Sequence, residues 1–480
     1  MKRLSGDYKK DVQYLDDVFR VKENFDIIKK PLAVGRDELT LYYIDGFVKD
    51  VVMGKLMIYF LSLSGLGEGN DAAQNFLDAH VPYVETEICE SVDTMVQMML
   101  SGAVVMLGSR FGSRAILIDA RTYPARDTSE PQNDRVMLGA RDGFVETLIF
   151  NTALIRRRIR DTSLTMQYLS VGEKSKTDVV LCYMSDRADM NFVKQIETKL
   201  MSIKTEALPM GHQSLSECLI RTRWYNPFPK IRTTERPDAA AAQLLEGSVM
   251  ILVDNSPEVM ILPTSIFDFV QETNDYYFPP LTGTFLRLIR QIIMWLTLFM
   301  TPTWYLLVRN PNLMPHFLAF TVPEDMGKIP LLAQLLLTEF VIDGLRMASM
   351  NTPDMLSNSL SVVGGLILGD FAIGIGWLIP EVILYMAFVS IANFSQRNYE
   401  LGYAFKFLRI LLLILTAIFN VWGFAAGVVL VITLIATNKT VNGKRSYLYP
   451  IIPFSWKAFK ALFFRVKKRD CGESDNKNVA

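Results

Sequence analysis

Ile410–Asn438 is a run of 29 residues without one charged side chain, and no other feature of the chain narrows its folding options so far. A bilayer core about 30 Å thick is crossed by about 20 helical residues, so the run is too long for one untilted span. Asn420 to Gly423 is where it can turn back as a hairpin. Leu288–Val308 gives 21 mostly apolar residues and reads as one span. Leu356–Ile379 is interrupted only by Asp370, and Pro380–Phe394 follows at once. Proline breaks an incoming helix, so a second hairpin is expected around Ile379-Pro380. Pro330–Met350 is amphipathic, with Glu339, Asp343 and Arg346 on one stripe. It suits a span inside a bundle or a helix in the membrane interface. The expectation is four to six spans.

Lysine plus arginine and aspartate plus glutamate both number 50, but the balance hides three regions. Residues 1–283 hold 32 basic and 39 acidic side chains, residues 284–443 hold 9 and 8, and residues 444–480 hold 9 and 3. An acidic globular part, a greasy part and a basic tail follow one another. No global charge points to nucleic acid. The first thirty residues are charged throughout and lack an apolar core, so no cleavable signal peptide is expected. The positive-inside rule puts the basic tail in the cytoplasm with the N-terminal region. Both ends inside require an even number of spans, which leaves four and six open.

The N-terminal region contains a repeat. Leu100–Leu107 with Ala115–Ile118 reads as a β-hairpin, and Leu245–Leu252 with Val259–Leu262 reads the same way. Upstream, Glu38–Ile44 followed by helical Phe47–Leu63 matches Thr177–Met184 followed by Met190–Met201. Between the units, Asp142–Arg160 has acids at its start, arginines at its end and an apolar face at helical spacing. The expected fold class is an α/β cytoplasmic region of two duplicated small subdomains followed by an α-helical multi-pass membrane domain. The expected segments are a charged N-terminal stretch (1–30), a first α/β subdomain (31–140), a connecting helix (141–175) and a second α/β subdomain (176–283). A helical transmembrane domain (284–443) and a basic cytoplasmic tail (444–480) complete the chain.

Chemistry-bearing motifs are scarce. Cys89, Cys182, Cys218 and Cys471 form no CxxC, and His80, His212 and His316 stand apart, so neither a zinc site nor a disulfide framework is expected. No Walker A, HExxH, GxSxG or EF-hand pattern is present. Gly65-Leu-Gly67-Glu-Gly69 follows a helix rather than a strand and reads as a loop. The run Arg156–Arg160 suits a solvated helix end with intramolecular ion pairs better than an anion site. The chain is therefore expected not to be an enzyme and to need no cofactor. The informative polar residues lie in the greasy part. An acid near the bilayer centre costs about 2.5–3.5 kcal/mol on insertion scales and usually faces a bundle interior or a water path. Asp370 follows Gly365 and Gly369, a small-xxx-small pair that lets helices approach closely. One such helix per subunit around an axis could line a pore, with Val362, Val363, Gly365, Leu366, Gly369 and Asp370 as lining candidates. The alternative is that the glycines pack a hairpin within one subunit and Asp370 sits near headgroups. Glu339, Asp343, Arg346 and Glu381 are candidates for an intramembrane polar network; alternatively the first three pair along one helix face and Glu381 caps a helix.

Two stretches carry a family resemblance. One is Gly139-Ala-Arg141-Asp-Gly143-Phe144-Val-Glu146, continuing through Asn151 and Leu154-Ile-Arg156-Arg-Arg158. The other is Arg236-Pro-Asp238, Leu245-Glu-Gly247, Val253-Asp254, Pro263 and Asp275-Tyr-Tyr277. Together they resemble the A subunits of bacterial spore germinant receptors, the GerA type, with weaker similarity from about residue 25 to 455. Ala140, Asp134 and the Asp37–Gly46 string look more like the stage V sporulation AF branch of that family. The resemblance implies a spore inner-membrane protein with its N-terminal domain on the core side. It implies a homo-oligomeric ion channel that releases monovalent cations in germination, with another membrane subunit of the germination machinery as a partner. A non-conducting scaffold or signal-relay subunit is the rival.

Overall fold

The computed structural model describes residues 2–465 except 68–70, 82–84, 122–139, 221–223, 273, 352–363, 366–368, 370, 397, 439–440 and 442–446. The chain forms two compact units. The first comprises Met1–Arg221 and Ile231–Pro263; the second comprises Thr222–Lys230 and Thr264–Ala480.

The first unit is built around two five-stranded sheets of one topology, ordered β1-β2-β4-β5-β3 and β6-β7-β9-β10-β8. Every neighbouring pair is antiparallel, so the sheets are not the parallel kind of strict α/β folds. The first repeat runs α1 (Tyr8–Phe19), β1 (Ile27–Val34), β2 (Asp37–Ile44), α2 (Asp50–Leu61), α3 (Ala72–His80), β3 (Thr86–Cys89), α4 (Val92–Leu100), β4 (Val104–Gly108), β5 (Ala115–Ile118). The second has the same order: α5 (Leu148–Arg158), β6 (Leu164–Val171), β7 (Thr177–Met184), α6 (Met190–Met201), α7 (His212–Leu219), β8 (Arg232–Thr234), α8 (Pro237–Leu245), β9 (Val249–Val253), β10 (Val259–Leu262).

This layout places the repeat boundaries differently from the sequence reading. The charged stretch 1–30 contains α1 and the start of β1, both parts of the first repeat. The stretch 141–175, expected as a connecting helix, contains α5 and the edge strand β6, so it opens the second repeat. The missed strands lie at sheet edges. β1 carries Lys29, Lys30 and Pro31 in its middle, which is how an exposed edge is kept from pairing further and which disguises it as a loop.

Alternation sorts the inner strands onto two faces. Leu39, Leu41, Val104, Met106, Ile116 and Ile118 pack with Met53, Leu56 and Phe60 of α2 and Phe76 of α3. Tyr42, Ile44, Val105, Leu107 and Leu117 pack with Leu15 and Phe19 of α1 and Met95 and Met99 of α4. Because helices cover both faces, β4, β5, β9 and β10 are buried along their whole length. That explains the unbroken apolar runs that revealed the repeat.

A buried seam joins the repeats. Asn24 Oδ1 accepts from the Met166 N–H at 2.8 Å, and the Phe25 N–H donates to Met166 O at 3.2 Å. The Asp26 carboxylate receives both arms of Arg156, Nε at 2.9 Å and an Nη at 3.0 Å, and a third Arg156 nitrogen donates to Leu164 O at 3.1 Å. Arg156 is wholly buried. The arginine run is therefore a solvated helix end only in part: Arg157 and Arg160 are exposed and Arg158 pairs with Asp142 at 2.5 Å, whereas Arg156 belongs to the core.

The second unit is helical. Among the described residues two helices, α10 (Pro280–Arg309, after the short α9, Asn274–Tyr277) and Tyr399–Ala436, are long and apolar enough to cross a membrane by length and composition. Tyr399–Ala436 reverses direction at Asn420, whose φ of 55° and ψ of −132° are not helical. A Cβ on Gly423 would lie 1.9 Å from Leu415 O, and one on Gly427 would lie 2.3 Å from Leu412 Cδ1. Contacts between residues that far apart in sequence require two antiparallel arms. The turn is tied to the end of α10 by paired side-chain amides of Asn310 and Asn420 at 2.6 and 2.8 Å. Met294 and Leu298 of α10 share a core with Phe405 and Leu408 of one arm and Val431 and Ile435 of the other. Pro380 opens the helix Pro380–Phe394. The Ile379 N–H before it donates to Gln334 Oε1 at 3.0 Å, and Gln334 Nε2 donates to Met326 O and Ile329 O at 2.8 and 2.7 Å.

Candidate functional site

Polar side chains converge inside the helical unit where α11 (Leu331–Asn351) crosses the first arm of the bent helix. Glu339 and Asp343 lie one turn apart on α11, and Lys406 and Arg409 lie one turn apart on the arm. Arg409 donates one Nη to Glu339 Oε1 at 2.6 Å and the other to Thr297 O of α10 at 2.8 Å. Lys406 Nζ lies 3.5 Å from Glu339 Oε1 and is in direct contact with the Asp343 carboxylate. Lys406 and Arg409 are buried to within a few per cent. Four opposite charges therefore neutralise one another, which is what makes burial of either sign tolerable.

The two acids thus meet bases on another helix, while the Arg346 guanidinium stacks over Tyr399 and Tyr403, 5.1 and 5.0 Å from the ring centroids. Such cation–π contacts place the charge over the negative faces of the rings. Sequence reasoning missed Lys406 and Arg409. Beside the quartet is a cavity of about 20 Å³, lined in part by Glu339, Asp343, Arg346, Asn393 and Arg409. It has room for one water, and it borders two buried atoms without a protein partner, Asn393 Oδ1 and Arg409 Nε. Glu381 stands in the first turn of Pro380–Phe394, whose later turns (Met386, Val389, Ser390, Asn393) line the cavity; Glu381 does not.

Of the pore-lining candidates, Val362, Val363, Leu366 and Asp370 lie outside the described residues. Gly364 packs on α11, where an added Cβ would come within 2.6 Å of a Leu345 methyl. Gly365 and Gly369 differ: a Cβ at either meets no described atom within 4 Å.

The first unit holds a cleft of about 1360 Å³, lined by Lys49, Arg141, Asp142, Arg157, Arg158 and Arg160 among others. The distinctive sequence strings serve its architecture. Asn151 clasps both backbone groups of Val145, Asp254 Oδ1 accepts the Leu148 N–H at the start of α5, and Arg236 pairs with Asp238. In the second unit, buried Asp275 holds Arg290 through contacts of 2.8 and 2.9 Å. His212 Nδ1 lies 2.7 Å from Ser256 Oγ and its Nε2 3.5 Å from Glu258. Ser256 is buried, so this Ser–His–Glu contact ties the β9–β10 turn to α7 rather than presenting a nucleophile. Burial pushes the Cys182 thiol up to about 12, which leaves it unreactive in the native fold. Among the described residues no His, Cys, Asp and Glu group could hold a metal.

Comparison with known proteins adds the identity of the fold family. The profile described as Bacillus/Clostridium GerA spore germination protein matches residues 13–474. Stage V sporulation protein AF of Bacillus subtilis (strain 168) is 37% identical, over 96% of this chain and 92% of that protein. Spore germination protein XA of Bacillus anthracis is 30% identical over 80% of this chain and 78% of its own length. The crystal structure of the N-terminal domain of the A subunit of the Bacillus megaterium spore germinant receptor GerK3 aligns at 22% identity and a TM-score of 0.42, over 54% of this chain and 96% of that domain. The chain belongs to the Bacillus/Clostridium GerA spore germination protein family.

Proposed function

We propose that this germination-family protein is a multi-pass subunit of the spore inner membrane that assembles with copies of itself into a channel releasing monovalent cations, without catalysing a reaction. The observation that carries the reading is the division of the glycines: Gly364 is used against α11, whereas Gly365 and Gly369 meet no described atom. A small-residue face that meets no described atom suits close approach by a second copy, with the segment Val362–Asp370 lining the axis.

Chain direction supports six passes. α11 runs antiparallel to the first arm, since Glu339, Asp343 and Arg346 meet Arg409, Lys406 and Tyr399 in turn. The chain is back beside Lys328, before the start of α11, at Gly376, whose carbonyl accepts the Lys328 N–H at 3.1 Å. One crossing between Asn351 and Gly376, added to α10, α11, Pro380–Phe394 and the two arms, returns the tail to the side where α10 began. Both ends then lie on the spore-core side.

The test is cation flux from vesicles holding the purified full-length chain, beside a Gly369→Leu/Asp370→Asn variant at equal incorporation. Flux in the first and none in the second supports the path. Equal flux in both overturns it, and silence in both favours a non-conducting scaffold. That second reading has its own support in α2, which exposes Val51 and Ile58, each 71% accessible, an apolar face suited to another germination protein.

A further inference from the structure

The chain that follows the bent helix returns to the beginning of α10. Tyr447 is buried, donating its hydroxyl to Pro229 O at 2.7 Å. The helix Trp456–Phe463 then sinks Leu462 into the core of the helical unit. Beyond it the Arg465 N–H donates to Thr284 Oγ1 at 3.1 Å, and the Arg465 guanidinium contacts Phe278 O. The tail helix is thereby fixed at the level where α10 starts.

Its outer side has a composition that water does not favour. Trp456 and Lys460 lie one turn apart on the helix and Phe464 follows its last residue, with Trp456 57% and Phe464 55% exposed. Phe454, 63% exposed, lies 6.0 Å from the Trp456 ring, and Ile451 and Ile452 are exposed just before it. Lys460 Nζ sits 5.1 Å from the centroid of the Trp456 ring. Residues 444–480 carry 9 basic against 3 acidic side chains. Aromatic rings with a lysine among them, at the mouth of an apolar helix, have the chemistry of a membrane–water boundary.

We propose that the tail segment from Ile451 to Phe464, with its helix Trp456–Phe463 lying in the membrane plane, binds the surface of an anionic phospholipid bilayer. This rests on the membrane-spanning reading above and not on the channel reading. Phe454, Trp456 and Phe464 enter the boundary between headgroups and acyl chains. The Lys460 ammonium reaches the phosphate layer, its stem covering the indole face as long basic side chains do at interfaces. The segment thereby clamps the start of α10 to one leaflet through Arg465.

The experiment uses the full-length chain with Cys218 and Cys471 changed to Ser, carrying single cysteines at Ile452, Phe464 or Ile292, each labelled with a small fluorophore. Ile292 is an exposed position of α10. The chain is reconstituted in phosphatidylcholine alone or in an equal mixture with phosphatidylglycerol. Nitroxide lipids carry the quencher either near the headgroup or near the end of the acyl chain. The labels at Ile452 and Phe464 should be quenched mainly by the shallow nitroxide, and more strongly in the anionic mixture. Lys460→Gln should weaken the anionic preference about fivefold, which is what one basic side chain near a charged leaflet contributes. The label at Ile292 should be quenched by the deep nitroxide. Quenching at Ile292 with none at Ile452 and Phe464 overturns the lipid surface and leaves the spans intact. If those two sites are unquenched yet shielded from an impermeant maleimide, a protein covers them and the inference fails. No quenching at Ile292 sinks the spanning reading itself.

Discussion

Replacing Asp26 by Asn tests the seam between the two repeats. Arg156 is wholly buried and donates two nitrogens to the Asp26 carboxylate at 2.9 and 3.0 Å. Asparagine removes the negative charge, keeps one acceptor, and turns an amide N–H₂ toward a guanidinium that also only donates. Hydrogen bonds to charged groups are each worth about 1.5–3 kcal/mol, and leaving one partner of a buried pair uncompensated typically costs about 3–5 kcal/mol. That is about a fifth or more of a stability of about 5–15 kcal/mol. Cys182 is the reporter, because it lies fully buried in the core beneath Arg156. The full-length chain would be exposed to a thiol reagent in a urea series and labelling of Cys182 read by peptide mass. With a urea slope of about 1–3 kcal/mol per molar, the midpoint of Cys182 labelling should fall by about 1–5 M. The apolar double variant Asp26→Leu/Arg156→Met should recover most of the loss, since a well-packed apolar pair substitutes for a buried ion pair. An Asp26→Asn midpoint indistinguishable from the parent's would refute the claim that Arg156 depends on that carboxylate.

Three further outcomes follow from local geometry. Gly35→Ala should destabilise the first repeat by more than 1 kcal/mol in the same labelling assay read at Cys89, because φ is +61° and the added Cβ would lie 1.9 Å from Ser64 O. Asp37 accepts the Leu66 N–H at 3.0 Å and Arg110 Nε at 2.7 Å, which lowers its carboxyl below the ordinary 3.8. Its contribution is therefore complete above that ordinary value and vanishes as pH falls through the lowered native one. Asp37→Asn should cost about 1 kcal/mol at neutral pH and nothing in acid below both values, measured as a difference in thermal unfolding. Asn420→Gly keeps the backbone unstrained and loses only the two Asn310 hydrogen bonds, whereas Asn420→Val should add about 1–3 kcal/mol of backbone strain to that loss, visible as a lower aggregation temperature of detergent-solubilised protein than that of the glycine variant.

What the sequence disclosed and what it hid have physical reasons. The duplicated hairpins were legible because β4, β5, β9 and β10 are covered on both sides and so read as continuous apolar runs. The first helix and strand of the first repeat and the edge strand β6 of the second were not, β1 because it is an exposed edge interrupted by Lys29, Lys30 and Pro31 and α1 because it is rich in charge. The reversal at Asn420 was visible because the charge-free run exceeds one span. Burial of Arg156 was hidden: three successive arginines at a helix end look like a solvated terminus, and nothing local identifies Asp26, 130 positions earlier, as the partner. In the helical unit, Glu339 and Asp343 drew attention to Arg346 because neighbours on one helix are the default partners. A better signal was available in Lys406 and Arg409, two bases in an apolar helix at the spacing that matches two acids on another.

That pairing restricts how the helical unit can move. Sliding α11 by one turn, about 5.4 Å, would bring Glu339 level with Lys406 and strand Arg409, which is buried and has its other arm on Thr297 O. Stranding a buried charge costs about 3–5 kcal/mol, so α11, the first arm and α10 move as one body. Glu339→Gln should loosen this clamp and leave Arg409 without its carboxylate, lowering thermal stability in detergent by an amount that Glu339→Met/Arg409→Met largely restores. In the flux assay, the apolar double variant should conduct like the parent, because it keeps the helices together without the charges. Loss of conduction in a stably folded double variant would mean that the charges themselves take part in the ion path, and the quartet would cease to be a clamp.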